Sequence, residues 1–157
     1  MDLLFGYDVV VSTFVARHIP HCHRGFGKNM KAIGILDENK VLVGGLVFHD
    51  YQPETGLIEI SGAATTKRWL TRVVLNRMFD YPFLECQCQM VVMRIRRDNH
   101  PLHRMLLAYG FKSQIVSRMF GRDVDGLLCT LTDDAWLSNK FNKKRLLVQR
   151  EAEMQHE

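Results

Sequence analysis

Between Lys31 and Ala63 the chain carries three β-rich runs joined by two short polar turns, and this spacing constrains the fold more than any other feature. Residues 31–36 and 41–49 are separated by Asp37-Glu38-Asn39-Lys40, a turn of hairpin length. Residues 57–63 follow a second turn, Gln52-Pro53-Glu54-Thr55-Gly56. Three antiparallel strands in a meander are the simplest arrangement of such runs.

Helical periods flank the meander. Residues 7–18 place Val10, Val11, Phe14 and Val15 at helical spacing, which predicts a first helix ending near Pro20; residues 21–29, with Gly25 and Gly27, read as loop. From Arg68 onward Leu70, Val73, Val74, Arg77 and Met78 form one stripe that ends near Asp80-Tyr81-Pro82. Residues 90–95 read as a largely buried strand. Asp98-Asn99 can cap a helix that tolerates Pro101 in its first turn and closes at Gly110, with Leu102, Met105, Leu106 and Tyr109 on one face. Residues 111–120 and 127–131 around the turn 121–126 predict a hairpin, and a last helix is expected from Thr132-Asp133-Asp134 into the charged tail. Helix, three strands, helix, strand, helix, hairpin, helix is an α/β order with a mixed sheet.

A length of 157 residues suits one domain with one sizeable core, and 46% hydrophobic with 24% charged residues excludes collagenous, disordered and disulfide-dense classes. No run approaches the roughly 20 apolar residues that span a bilayer, and the start Met1-Asp2-Leu3-Leu4-Phe5 has an acid where a signal peptide carries Lys or Arg. A soluble cytoplasmic protein without a membrane partner is expected. Cys22, Cys86, Cys88 and Cys129 show no framework spacing and read as buried or incidental thiols. His21-Cys22-His23 would need Cys86 and Cys88 as distant partners to hold zinc, so no metal is expected. Net charge is 21 − 17 = +4, which favours anionic partners without choosing among them.

The segment Asp98-Asn99-His100-Pro101-Leu102-His103-Arg104-Met105-Leu106-Leu107-Ala108-Tyr109-Gly110-Phe111 resembles the strand-then-D-N-x-x-S-x-R-x-x-x-x-x-G-F segment of the GCN5-related N-acetyltransferase family. Trp69-Leu70-Thr71-Arg72-Val73-Val74-Leu75 to Phe79-Asp80-Tyr81-Pro82-Phe83 is similar to the helix that follows that family's cofactor loop, and Thr130-Leu131-Thr132-Asp133-Asp134-Ala135-Trp136 to its closing strand and helix entry. The resemblance covers residues 31–136 and is greatest to the bacterial and phage branch related to ribosomal-protein N-terminal acetylases. It implies a mixed, mostly antiparallel central sheet flanked by helices, an acetyltransferase domain over residues 1–136, and a helical tail over 137–157.

It also implies acetyl-CoA as cosubstrate and a primary amine as acceptor. The pyrophosphate loop would be residues 65–71, with Lys67 and Arg68 as added charge, Trp69 and Leu70 within it, and Thr71 and Arg72 opening the helix, where free N–H groups and the helix dipole bind phosphate. The family's loop glycines are replaced here by Trp69 and Thr71. Ala63, Ala64 and Thr65 would meet the pantetheine arm, Asn99 would cap the next helix and contact that arm, and Arg104 would assist. Strand alternation puts Glu59 and Ser61 opposite Ile58 and Ile60, and the resemblance assigns Glu59 as base, with His49 on the adjoining strand as substitute. The family's acid, a Tyr four residues before the final Gly, is Leu106 here, which leaves Tyr109 or water.

Two other classes stand beside an active enzyme. A fold relative that binds CoA or a partner with impaired catalysis is suggested by the missing glycines. A nucleic-acid module would use Arg94, Arg96, Arg97 and Arg104 or the tail; alternation divides the first three between two faces, and Glu151, Glu153 and Glu157 follow the basic tail residues, so solvated or subunit-packing surfaces, including a homodimer contact, are preferred. The acceptor is expected near residues 18–28 and 119–125, where His21, His23, Arg24 and Arg122 lie.

Overall fold

A computed structural model describes residues 1–156 and divides them into two compact units, 1–93 and 94–156. The class is α/β with mostly antiparallel strands, as expected. No described helix is long and apolar enough to cross a membrane.

The first unit is built on β1 (Asp2–Leu4), β2 (Lys31–Leu36), β3 (Leu42–Gln52), β4 (Leu57–Ala64) and β5 (Met90–Arg96), with α1 (Asp8–His18) and α2 (Arg72–Asp80). β2, β3 and β4 form the expected antiparallel meander. β1 pairs with β2 and is an addition to the sequence reading, because three residues are too few to display a period of two. β4 and β5 run parallel, which requires a long crossover, and α2 supplies it.

α1 lies against β3 because its stripe meets a strand that has made room. Val11 and Val15 are fully buried, and a Cβ on Gly45 of β3 would stand 2.8 Å from a methyl carbon of each. The missing side chain lets helix and strand close, and burial of each valine contributes about 1.5–3 kcal/mol. Asp8 in the first turn offers its carboxylate to the N–H of Ala32 at 2.9 Å and complements the helix dipole.

α2 begins at Arg72, four residues after Arg68, where the helical period was expected to start, so Leu70 belongs to the loop before it. Thr71 is extended and its Oγ accepts from the N–H of Val74 at 3.4 Å, which defines the start. Past Asp80 the helix widens into a π-turn, Tyr81–Glu85, where Pro82 has no N–H to continue the α pattern.

The second unit contains α3 (His100–Tyr109), the hairpin β6 (Lys112–Val116) and β7 (Gly126–Thr132), α4 (Asp133–Ser138) and α5 (Lys143–Gln155). Asn99 Oδ1 accepts from Leu102 N–H at 3.4 Å, and Gly110, at φ +121, returns its N–H to Leu106 and Leu107. β6 ends at Val116, earlier than the predicted 120, because the chain turns at Arg118, whose φ is +64 and whose N–H donates to the Asp125 carboxylate. The single last helix expected from Thr132 is two helices, the first capped by Thr132 itself. Between them Asn142, fully buried, donates to the Tyr109 hydroxyl and the Trp136 carbonyl, both at 3.0 Å.

Candidate active site

The register of the meander decides which side chains share a face. His49 stands opposite Glu59 and Val47 opposite Ser61. Glu59, Ser61 and Ala63 therefore project to one face of β4, with His49 and Val47 beside them, and Val47 and Ala63 pack in the cluster that α1 covers. The hydrophobic face ends where the polar group begins.

At that boundary His49 is 3% exposed, and both ring nitrogens are engaged. Nδ1 lies 2.5 Å from Asp50 Oδ2, and Nε2 lies 2.8 Å from Ser61 Oγ and 3.8 Å from Glu59 Oε2. The Phe26 ring packs at 4.9 Å from the imidazole. His49, Asp50 and Glu59 also bring one metal-ligating atom each to within 4.8 Å of one another. A cation here would have to displace a hydrogen bond from one of the imidazole nitrogens.

Glu59 is also the last residue of β4 in the parallel ladder. The rungs run Leu57↔Met90, Ile58↔Val91 and Glu59↔Val92, while β4 itself continues to Ala64. Thr65 donates its N–H to Val43 on the β3 side at 2.8 Å. Alternation then turns the N–H groups of Ala64, Gly62 and Ile60 toward the β5 side. Gly62, Ala63 and Ala64 leave that edge uncluttered.

The loop 65–71 leads from this strand to the start of α2. Lys67, Arg68 and Arg72 are exposed, Trp69, Leu70 and Thr71 half-buried, and Thr71 returns its N–H to the Trp69 carbonyl at 3.0 Å. Three cations thus surround one helix N-terminus without a carboxylate between them in sequence.

In the second unit Asn99 and Arg104 are exposed. Tyr109 is 1% exposed, its hydroxyl accepts from Asn142, and burial pushes its pKa above the ordinary value. A cleft of about 360 Å³ at the start of α3 is lined by Arg96, Arg97, Asp98, His100 and Asp125. Arg96 pairs with Asp98 at 2.8 Å and Arg97 with Asp125 at 3.2 Å, so two of the four arginines weighed for nucleic acid are paired with neighbouring carboxylates. His21 lies in a short 3-10 helix, Pro20–Cys22, where loop was expected, and His21, His23, Arg24 and Arg122 are all exposed.

The cysteines are free thiols, and those at 22, 88 and 129 are buried. Burial pushes Cys88 and Cys129 up to about 11 each, so neither offers a thiolate at neutral pH.

Sequence reasoning singled out Glu59 and weighed His49, but it missed Asp50 and Ser61 as their partners. The shared parity of Glu59 and Ser61 was visible; the backbone irregularity that brings Asp50 to the ring was not.

No family model matches the chain, and no curated protein does. Among solved structures it is similar to a chimera of the spermidine N-acetyltransferase SpeG from Vibrio cholerae and hSSAT, at 14% identity and TM-score 0.69 over 88% of this chain and 100% of that one. The spermidine/spermine N-acetyltransferase SpeG from Vibrio cholerae matches at 16% identity and TM-score 0.63 over 70% of both chains. A dodecameric structure of the Vibrio cholerae spermidine N-acetyltransferase matches at 17% identity and TM-score 0.64 over 76% of this chain and 72% of that one. At such identities the likeness is one of architecture, and the chain has the GCN5-related N-acetyltransferase fold.

Proposed function

We propose that the chain is an acetyl-CoA-dependent N-acetyltransferase that acts on a primary amine by direct attack of the amine on the thioester. The observation that carries this reading is the end of the β4–β5 ladder at Glu59↔Val92, with β4 continuing to Ala64. An amide-bearing cofactor arm can pair with such an edge as an added strand. Ala63, Ala64 and Thr65 would hold the arm there.

The loop 65–71 and the start of α2 would hold the pyrophosphate, with Lys67, Arg68 and Arg72 as counter-charge and Trp69, Leu70 and Thr71 shaping the approach. Asn99 and Arg104 complete the residues assigned to the cofactor. When bound, acetyl-CoA supplies an activated acetyl group. Glu59, on the polar side of β4, makes the acceptor amine neutral and therefore nucleophilic. Tyr109 or water is the proton donor. No metal takes part in this proposal, and EDTA is expected to leave the rate unchanged.

The acceptor is a small amine, a protein N-terminus or lysine, or an aminoacyl group; spermidine belongs in the first panel because solved neighbours of this fold acetylate it. Those neighbours include a dodecamer, so assembly with further copies, beginning with a homodimer, is part of the reading. Isothermal calorimetry with acetyl-CoA, followed by thiol release across an amine panel, tests it. Saturable heat and turnover support it, and no heat at high protein concentration overturns it. A second reading, a cofactor-binding relative with impaired catalysis, is favoured by Trp69 and Thr71 in place of glycines, and binding without turnover across the panel would select it.

A further inference from the structure

We propose that Ser61, His49 and Asp50 form a proton relay through which the acceptor amine is deprotonated, with Ser61 touching the amine and His49 receiving the proton behind it. This inference rests on the acetyltransferase reading above and replaces direct proton abstraction by Glu59 with a relay that the Glu59 charge assists.

The first argument is the backbone. Consecutive residues of a strand face opposite sides, so His49 and Asp50 would not meet in a regular β3. The β3–β4 register shifts between His49 and Gln52, and Asp50 sits at φ +54, the left-handed region that non-glycine residues rarely enter. This bulge turns the Asp50 carboxylate back onto its neighbour's ring, at 2.5 Å from Nδ1. Bulges that re-aim a side chain concentrate beside active sites, and rare backbone conformations concentrate there too.

The second argument is donor and acceptor bookkeeping. An ionised carboxylate only accepts, so Nδ1 carries a hydrogen, and in the neutral ring that the relay requires Nε2 is the acceptor. Its partner at 2.8 Å is the Ser61 hydroxyl, which must then donate. His49 is buried and covered by Phe26, whereas Ser61 is half-buried, so Ser61 is the outlet of the chain of hydrogen bonds. Glu59 Oε2, 3.8 Å from Nε2, faces the same nitrogen with negative charge.

The step is a proton transfer with no covalent change. The ammonium form of the acceptor gives a proton to Ser61 Oγ as the Ser61 hydroxyl proton passes to His49 Nε2. The products are a neutral amine, an intact serine and an imidazolium held between Asp50 and Glu59. Asp50 and Glu59 act as positioning and charge-balancing residues, and the acceptor class is an alkyl amine that is protonated at neutral pH.

The test uses the full chain with ¹⁵N-labelled histidine and the variants Ser61→Ala, Asp50→Asn and His49→Gln. The wild-type spectrum is expected to show His49 protonated at Nδ1 and bare at Nε2, with Asp50→Asn shifting that tautomer balance; a ring protonated at Nε2 alone would overturn the relay. In amine turnover, Ser61→Ala and His49→Gln are expected to lose about 10²-fold in kcat, with KM for acetyl-CoA unchanged. Asp50→Asn is expected to lose about tenfold, and Ser61→Thr to recover most of the Ser61→Ala loss. Wild-type turnover with Ser61→Ala and Asp50→Asn at full rate sinks the relay and leaves the acetyltransferase reading standing. Absent turnover in the wild type removes that reading and the relay with it. An acetyl group found covalently on Ser61 by mass spectrometry replaces the relay by a nucleophilic serine.

Discussion

Glu59 and Val92 form the last rung of the parallel β4–β5 ladder, and across β3 the same Glu59 faces His49. One carboxylate therefore marks both the end of regular pairing and the start of the polar cluster. Glu59→Gln keeps the shape and removes the charge. The proposed role gives a loss of about 10²-fold or more in kcat with an unchanged melting temperature. Steady-state kinetics on the amine that turns over, beside a thermal melt, measure both, and a full rate in the folded variant would remove Glu59 from the chemistry.

Lys67, Arg68 and Arg72 lie exposed around the start of α2, where each charge near a bound phosphate contributes about 0.3–1 kcal/mol. The double variant Arg68→Ala and Arg72→Ala is then expected to raise the Kd for acetyl-CoA by roughly threefold to thirtyfold. Calorimetry at low and high salt reads it, because added salt should narrow the gap between variant and wild type. An unchanged Kd at low salt would place the phosphates elsewhere.

Gly45 and the two valines of α1 leave no room for a methyl group. Gly45→Ala forces helix and strand apart or twists β-branched side chains that have few alternatives, at a cost of about 1–3 kcal/mol. Urea unfolding of the variant gives this number directly. A neutral result would mean that α1 slides at little cost and that the face beside His49 is softer than its burial implies.

The meander from Lys31 to Ala64 and the caps at Asn99 and Thr132 were legible because turn length, period and capping chemistry are local signals, whereas the period alone placed the start of α2 at Arg68, before its Thr71 cap. Glu59 was legible as a polar position among isoleucines for the same reason. The pairing of His49 with Ser61 was not, since it depends on a register between residues twelve apart. Nor was the turning of Asp50, which carries no glycine or proline as a warning; aspartate's tolerance of the left-handed region is a weak sign by itself. β1 was too short to show a period, and Asn142, which joins α5 to Tyr109, reads in sequence as an ordinary polar residue between Phe141 and Lys143.

Tyr109→Phe separates a structural hydroxyl from a catalytic one. The hydroxyl is buried and takes a hydrogen bond from Asn142, whose amide also donates to the Trp136 carbonyl. Removal leaves a buried N–H without that acceptor, a cost of about 1–3 kcal/mol in stability. If Tyr109 also donates the proton, kcat falls by a further 10²-fold or so at a temperature where the variant is fully folded. Loss of stability with full kcat assigns the proton to water.

Alkaline stability should report the buried thiols. Cys88 and Cys129 are each raised from the ordinary 9.0 to about 11, chiefly because burial disfavours the thiolate. A folded-state pKa above the unfolded one means that the unfolded chain releases its proton first as pH rises. The contribution of each thiol is therefore fully present below about pH 9 and is lost as pH climbs toward 11, on the order of 2 kcal/mol per site. Urea midpoints at pH 8 and pH 10.5 are expected to differ for the wild type by more than for the variant Cys88→Ala and Cys129→Ala. Equal slopes in the two proteins would mean that other groups govern the alkaline limb and that burial does not hold the thiols above their unfolded-chain value.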